Sequence, residues 1–387
     1  MTACAIETAT EDGAVGRTGI TITADGAYAA RLAGSRQALF PERWTLGPEP
    51  YAVPLPLDQP EEREAEVLPL ADGRVLIRRR VAGLHVFALL YPTGPGTGEL
   101  PLGAIDSAEL RLLPPAPDGK RAYALAPGAE STAVWLVAGG AFGPELVAEV
   151  PGRCSGGVWL DRAGRILALD RRLGGGPVKA VAVDLERGGE VTPLLQITDD
   201  SDDRLLLADM DSGLLLIRSN APGHDLLGWG VLGSMRPVRF PECLRLADCA
   251  VTPFAVQPGQ VLMPESCAVA LRIDGAAGSW LGVWRPSGRR LHQLAAPDGW
   301  LAGAGLWSRE GVLQLPYATR AVPCGMARID GPADALVPDV ITDTRVITEP
   351  APSKWPGGES SWGTGTSIVY KPVPLQQAPL TDGGAPG

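Results

Sequence analysis

The feature that most constrains this chain is a short stretch that recurs at a near-constant interval. Its clearest copy, Ala71-Asp72-Gly73-Arg74-Val75-Leu76-Ile77-Arg78, is an Asp-Gly turn followed by a run of strand formers. Pro117-Asp118-Gly119-Lys120-Arg121-Ala122-Tyr123-Ala124 is a second copy, and Ala24-Asp25-Gly26-Ala27-Tyr28 a weaker one. Arg162 to Leu169 and Asp211 to Arg218 follow, then looser copies at Gly259 and at Glu310-Gly311. The glycines at 26, 73, 119, 164, 213, 259 and 311 stand 47, 46, 45, 49, 46 and 52 residues apart. A repeat of this length overrides the two or three domains that 387 residues would otherwise suggest.

Each period holds four strand-like runs. One leads into the turn (Thr18 to Thr23, Val158 to Leu160) and a second leaves it (Arg74 to Arg80, Leu214 to Asn220). A third follows a variable loop: His85 to Tyr91, Ala133 to Val137, Val178 to Val183, Leu226 to Leu232. A weaker fourth precedes the next turn, as in Glu190 to Ile197, Arg236 to Phe240 and Arg290 to Leu294. The glycine supplies the positive φ of a tight hairpin, and no capped 3.6-residue periodicity competes. The spacing predicts an all-β chain: a single seven-bladed β-propeller of four-stranded antiparallel blades. Residues 1–14 precede it, 15–348 form it, and a Pro/Gly-rich tail spans 349–387. Two turns compete for the sixth blade, Gln257-Pro258-Gly259 and Pro264-Glu265-Ser266; Asp339 to Ile347 or Ala3 to Thr8 would close the ring.

Composition excludes several function classes. A net charge of -10 has the wrong sign for phosphate backbones and anionic bilayers. No apolar run approaches the roughly 20 residues of a membrane helix, so membrane insertion is not expected. The polar start lacks a signal-peptide pattern, and six cysteines in a chain this long form no disulfide framework. Together these predict a cytoplasmic protein. No Cys-x-x-Cys occurs, Cys243 and Cys249 are six apart, and His85, His224 and His292 are too scattered for zinc. The tryptophans at 135, 159, 229, 280, 284 and 307 fall on strands and read as blade packing.

The turn Pro117-Asp118-Gly119-Lys120, with partial copies at Ala71-Asp72-Gly73-Arg74 and Ala24-Asp25-Gly26, resembles the WD40-like repeat of TolB-type propellers. It is also similar to the N-terminal propeller of the prolyl oligopeptidase family. That resemblance implies that loops from second to third strand, and from each blade to the next, open on one face of the ring. About forty residues follow the propeller, so no α/β-hydrolase domain is expected in this sequence. Gly358-Glu359-Ser360-Ser361-Trp362-Gly363 lacks the strand and helix of a nucleophile elbow. Peptidase activity therefore does not carry over.

The face defined by those loops would collect three polar stretches. Arg78 and Arg80, with His85, end a second strand and begin a third, and the arginines suit an anionic ligand. Asp199, Asp200, Asp202 and Asp203 form an acidic loop, either solvated or able to hold Ca²⁺, without an EF-hand's spacing. His224-Asp225 has the pairing of an oriented general base, or of a locally bonded loop histidine. No other cofactor is implied. Two functions fit: a binding or scaffold protein offering its loop-rich face to a protein or small-molecule ligand, and a stand-alone hydrolase or lyase working at the central funnel.

Overall fold

The recurrent Asp-Gly pair makes a tight turn for a local reason. The aspartate carboxylate accepts a backbone N–H two residues on: Asp25 from Ala27, Asp72 from Arg74 and Asp118 from Lys120, each at 3.0 Å. The glycine N–H returns to a carbonyl three residues back, as from Gly73 to Leu70 at 3.0 Å. Such closure favours a left-handed residue, and φ runs from +66° at Gly119 to +88° at Gly311 across all seven repeat glycines.

The computed structural model describes residues 19–35 and 38–332, which fall within the unit Met1–Asp334. The proposed closing strands, segment 1–14 and tail 349–387 lie outside the described residues. β1 (Thr21–Ile22), β2 (Tyr28–Ser35), β3 (Ala38–Thr45) and β4 (Tyr51–Pro54) form the first antiparallel sheet, in that order. The second holds β5 (Glu66–Pro69), β6 (Val75–Val81), β7 (Leu84–Pro92) and β8 (Thr97–Ile105). The third holds β9 (Arg111–Leu112), β10 (Ala122–Pro127), β11 (Ser131–Ala138) and β12 (Glu145–Pro151). A fourth group contains β13 (Arg153–Trp159), β14 (Ile166–Arg172), β15 (Val178–Asp184) and β16 (Glu190–Leu195). One parallel pairing, Lys179 with Asp203, joins it to a fifth group of β17 (Asp203–Ala208), β18 (Leu214–Ser219) and β19 (Leu226–Val231). β20 (Ala250–Val256), β21 (Val269–Gly275), β22 (Gly278–Trp284) and β23 (His292–Leu294) form the next sheet. β24 (Leu306–Trp307), β25 (Val312–Tyr317) and β26 (Gly325–Asp330) form the last. Among the described residues strand accounts for 51% and helix for 3%, far from the roughly one-third helix of an average globular protein.

Every repeat glycine lies between the first and second strands of its group. The sixth turn is settled by Gly259, whose N–H bonds Asp211 of the preceding turn at 2.8 Å, while Pro264–Ser266 is a short 3-10 turn further along the same connection. The other turns are joined in the same way. Arg43 reaches the Gly73 carbonyl at 3.3 Å, Ala71 N–H the Gly119 carbonyl at 2.8 Å, and Arg121 the Ala163 carbonyl at 2.9 Å. Arg162 pairs with Asp211, and Gln257 donates to the Arg309 carbonyl at 3.0 Å.

The core lies between groups. Val75 and Ile77 pack with Ala30 and Leu55, and Leu76, Phe87 and Leu89 with Ala122, Ala124 and Val137. Equivalent clusters follow between later neighbours, burying Trp159, Trp229, Trp284 and Trp307 as the strand pattern predicts. A further cluster combines Ile20, Ala29, Trp44 and Leu46 of the first group with Ala304 of the last. A single truncation such as Leu76→Ala in this packing costs about 2–5 kcal/mol.

Candidate functional site

The strand ends opposite the glycine turns carry every site residue predicted from sequence. Arg78 and His85 are drawn into the packing, at 4% and 2% exposure. His85 Nδ1 stands 3.1 Å from Arg78 Nη1, and a guanidinium can only donate, so Nδ1 accepts. Nε2 then carries the proton and donates to the Ser107 carbonyl at 3.0 Å. Burial and the Arg78 charge push this imidazole below its ordinary pKa. Arg78 Nε donates to Glu66 at 3.1 Å, and the same Glu66 oxygen accepts the Leu112 N–H of the next sheet at 2.8 Å. The pair therefore clasps two sheets. Arg80 is exposed and lines a 680 Å³ cavity with Arg79, Glu61 and Glu62.

The acidic loop closes around a lysine. Asp203 is fully buried; one oxygen accepts Lys179 Nζ at 2.8 Å and Ile197 N–H at 3.0 Å, the other Ser219 Oγ at 2.6 Å. Lys179 also donates to the carbonyls of Thr198 and, at 2.6 Å, Ser201. Of the four carboxylates that the sequence offers to Ca²⁺, Asp203 is thus turned to an ammonium. Burial alone would raise the Asp203 pKa, but bonds from Lys179, Ser219, Ile197 and Ser201 hold it below the ordinary value. Asp202 accepts the Val178 N–H at 2.6 Å, Asp199 accepts Gln196 at 3.2 Å, and Asp200 is exposed. Among the described residues no three His, Cys, Asp or Glu side chains are placed to hold a metal.

His224 and Asp225 are exposed beside a 340 Å³ cleft that also includes Arg218 and Arg245. No hydrogen bond joins the two among the described residues. Arg80 and the His224-Asp225 pair thus line two different cavities.

A residue passed over in the sequence has the most unusual environment. Asp170, on β14, is buried against β13, where the register shifts between Ser155 and Val158. Gly156 and Gly157 form that bulge with φ of +76° and +135°. A side chain at Gly156 would come within 3.2 Å of the Asp170 carboxylate, so glycine leaves room beside it. One carboxylate oxygen accepts the Leu205 N–H at 3.0 Å; the other lies 3.7 Å from Arg204 Nη1. Burial dominates over Leu205, Arg204 and Arg111, and the carboxyl titrates at about 6. Arg111 Nε is buried without a hydrogen-bond partner among the described residues. Leu112 and Leu113, next along the chain, line a 440 Å³ groove with Thr21 of β1, Arg31 of β2, Glu66 of β5 and Arg63. Arg31 of β2 and Arg63 of the β4–β5 connection thus bring two guanidinium groups to the groove in a protein of net charge -10. Bulges recur beside functional sites, and Gly156-Gly157 opposite an acid in an apolar strand was the available signal.

The fold is β-propeller-like. Comparison with known protein families and with curated proteins finds no match. Among solved structures the chain is similar to oligogalacturonate lyase from Vibrio parahaemolyticus, at 10% identity and a TM-score of 0.51, over 81% of this chain and 89% of that one. It is also similar to prolyl oligopeptidase B from Galerina marginata bound to a 35mer hydrolysis and macrocyclization substrate, at 13% identity and a TM-score of 0.51. That match covers 80% of this chain and 48% of the other, so the chain spans about half the length of the oligopeptidase. At such identities the likeness is one of fold.

Proposed function

We propose that the seven groups close into one seven-bladed ring and that the protein is a stand-alone propeller enzyme, a lyase or hydrolase, acting at the inner strand ends. The cluster joining Trp44 to Ala304, and the approach of Leu306 Cδ1 to within 2.8 Å of a side chain placed at Gly26, support the ring. Asp170 carries the enzymatic reading. A carboxyl that titrates at about 6 is mostly ionised at neutral pH and basic enough to accept a proton. Arg111 and Arg204 beside it suit an anionic substrate. Elimination next to a substrate carboxylate fits this set: Asp170 takes the α-proton while the guanidinium groups balance charge developing on the carboxylate oxygens. Collapse of that charge forms the C=C bond as the β C–O bond breaks and the departing sugar oxygen takes up a proton from water.

Anionic oligosaccharides such as oligogalacturonate are the first probes, followed by absorbance of the unsaturated product, with calorimetry for binding. Turnover that rises as pH passes about 6 and disappears in Asp170→Asn, with binding retained, supports the proposal. Binding without turnover moves the protein to the class of ligand-binding propellers. Neither binding nor turnover with uronate oligomers or proline-containing peptides overturns the substrate class.

A further inference from the structure

The ends of the strands that carry the glycine turns also carry an apolar patch that the core does not use. The connection from β20 to β21 takes twelve residues, Gln257 to Ala268, where β5 to β6 takes five. It exposes Val261, Leu262 and Met263, with Leu262 at 86%. Leu262 has φ of +58°, a left-handed conformation that costs any residue with a side chain. The loop after β19 exposes Leu232 and Met235, the latter at 94%. Large apolar side chains gathered this way mark an interaction surface.

Between the loops lies a 310 Å³ cavity lined by Trp229, Leu232 and Leu262, with Arg236, Arg239 and Glu265 at its walls. The Arg239 guanidinium lies 5.0 Å over the Trp229 ring, and the two backbones exchange hydrogen bonds of 2.9 and 3.0 Å. The Leu232 N–H bonds the Gly213 carbonyl at 2.8 Å, tying its loop to a repeat turn. Neither Arg236 nor Arg239 makes an ion pair among the described residues, so two cations face one anion, Glu265, in a protein of net charge -10.

The geometry points to a docking site for a polypeptide segment that carries a large apolar side chain and a carboxylate a few residues apart. The apolar group fills the cavity against Leu232 and Leu262, and the carboxylate takes the donors of Arg236 and Arg239. Preformed walls reduce the ordering cost of binding.

The test is a peptide array on a Gly-Ser background that pairs Asp, Glu or a free C-terminal carboxylate with Leu, Ile, Met, Phe or Trp at every short spacing. The full chain is the probe, and hits are measured by fluorescence anisotropy. Saturable binding to acidic-apolar peptides but not to their Lys counterparts is expected. It should weaken at least tenfold in Arg236→Glu and in Leu262→Asp, with the thermal midpoint unchanged. No peptide bound above the Gly-Ser control, or equal binding by the arginine variant, overturns the proposal. Concentration-dependent self-association in sedimentation that Leu262→Asp abolishes also overturns it, by assigning the patch to a second copy.

Discussion

Asp203 and Asp170 are both buried carboxylates at the same ends of neighbouring groups of strands, and the protein treats them in opposite ways. Asp203 is saturated: Lys179, Ser201, Ser219 and the Ile197 N–H fill its acceptor sites, and its pKa falls. Asp170 has one backbone donor at 3.0 Å and an arginine at 3.7 Å, and its pKa climbs to about 6. The first holds β15 to β17. The second costs stability whenever it ionises, and undercompensated acids of that kind gather where a ligand completes them.

The largest expected effect breaks the saturated member. Asp203→Ala leaves the Lys179 ammonium among carbonyls without its counter-charge and should lower unfolding free energy by about 3–5 kcal/mol in urea titrations. Its depressed pKa means that Asp203 contributes stability above the unfolded value of 3.8, lost as pH falls through the folded value. The variant should therefore lose part of the acid limb of stability. A change under about 1 kcal/mol would make the hub ornamental.

Asp170→Asn tests the other member and should have the opposite sign. A pKa raised from 3.8 to about 6 gives a contribution present below 3.8 and lost as pH rises through about 6. Asparagine keeps an acceptor for the Leu205 N–H without the buried charge. Stability should rise by about 1–3 kcal/mol near pH 8 and change little near pH 4, measured by the urea midpoint at each pH. Destabilisation at both pH values would place Asp170 with Asp203 as a joint.

Arg204→Gln gives the smallest effect and sharpens the contrast. Its side chain is 35% exposed and its contact with Asp170 is long, so stability should move by less than about 1 kcal/mol. The Asp170 pKa should nevertheless rise further, because one of the cations favouring its charged form is gone. The urea midpoint of the variant checks the first part and carboxyl titration by NMR the second.

The turns were legible because their chemistry is local. An aspartate reaching two residues forward and a glycine with positive φ need nothing beyond their own neighbours, and all seven repeat glycines share the positive φ. Arg78 and His85 read as rim groups because strand alternation cannot say which side chain an adjacent sheet will cover; Glu66 and Leu112 decide that. The acidic loop read as solvated or as able to hold Ca²⁺, and the partner of Asp203 was not legible because Lys179 sits on another strand at a distance no spacing rule reaches. Asp170 stayed hidden among apolar neighbours on β14, since its character depends on a bulge in β13 and on arginines from two other groups of strands.

The most direct test of this division is a carbon-NMR titration of the Asp170 carboxyl in the intact chain, with Asp203 as internal reference. The predicted result is a midpoint near 6 for Asp170 and one below 3.8 for Asp203, with only the Asp170 midpoint moving when an anionic oligosaccharide is added. A midpoint at or below 3.8 for Asp170, unmoved by the ligand, would contradict it.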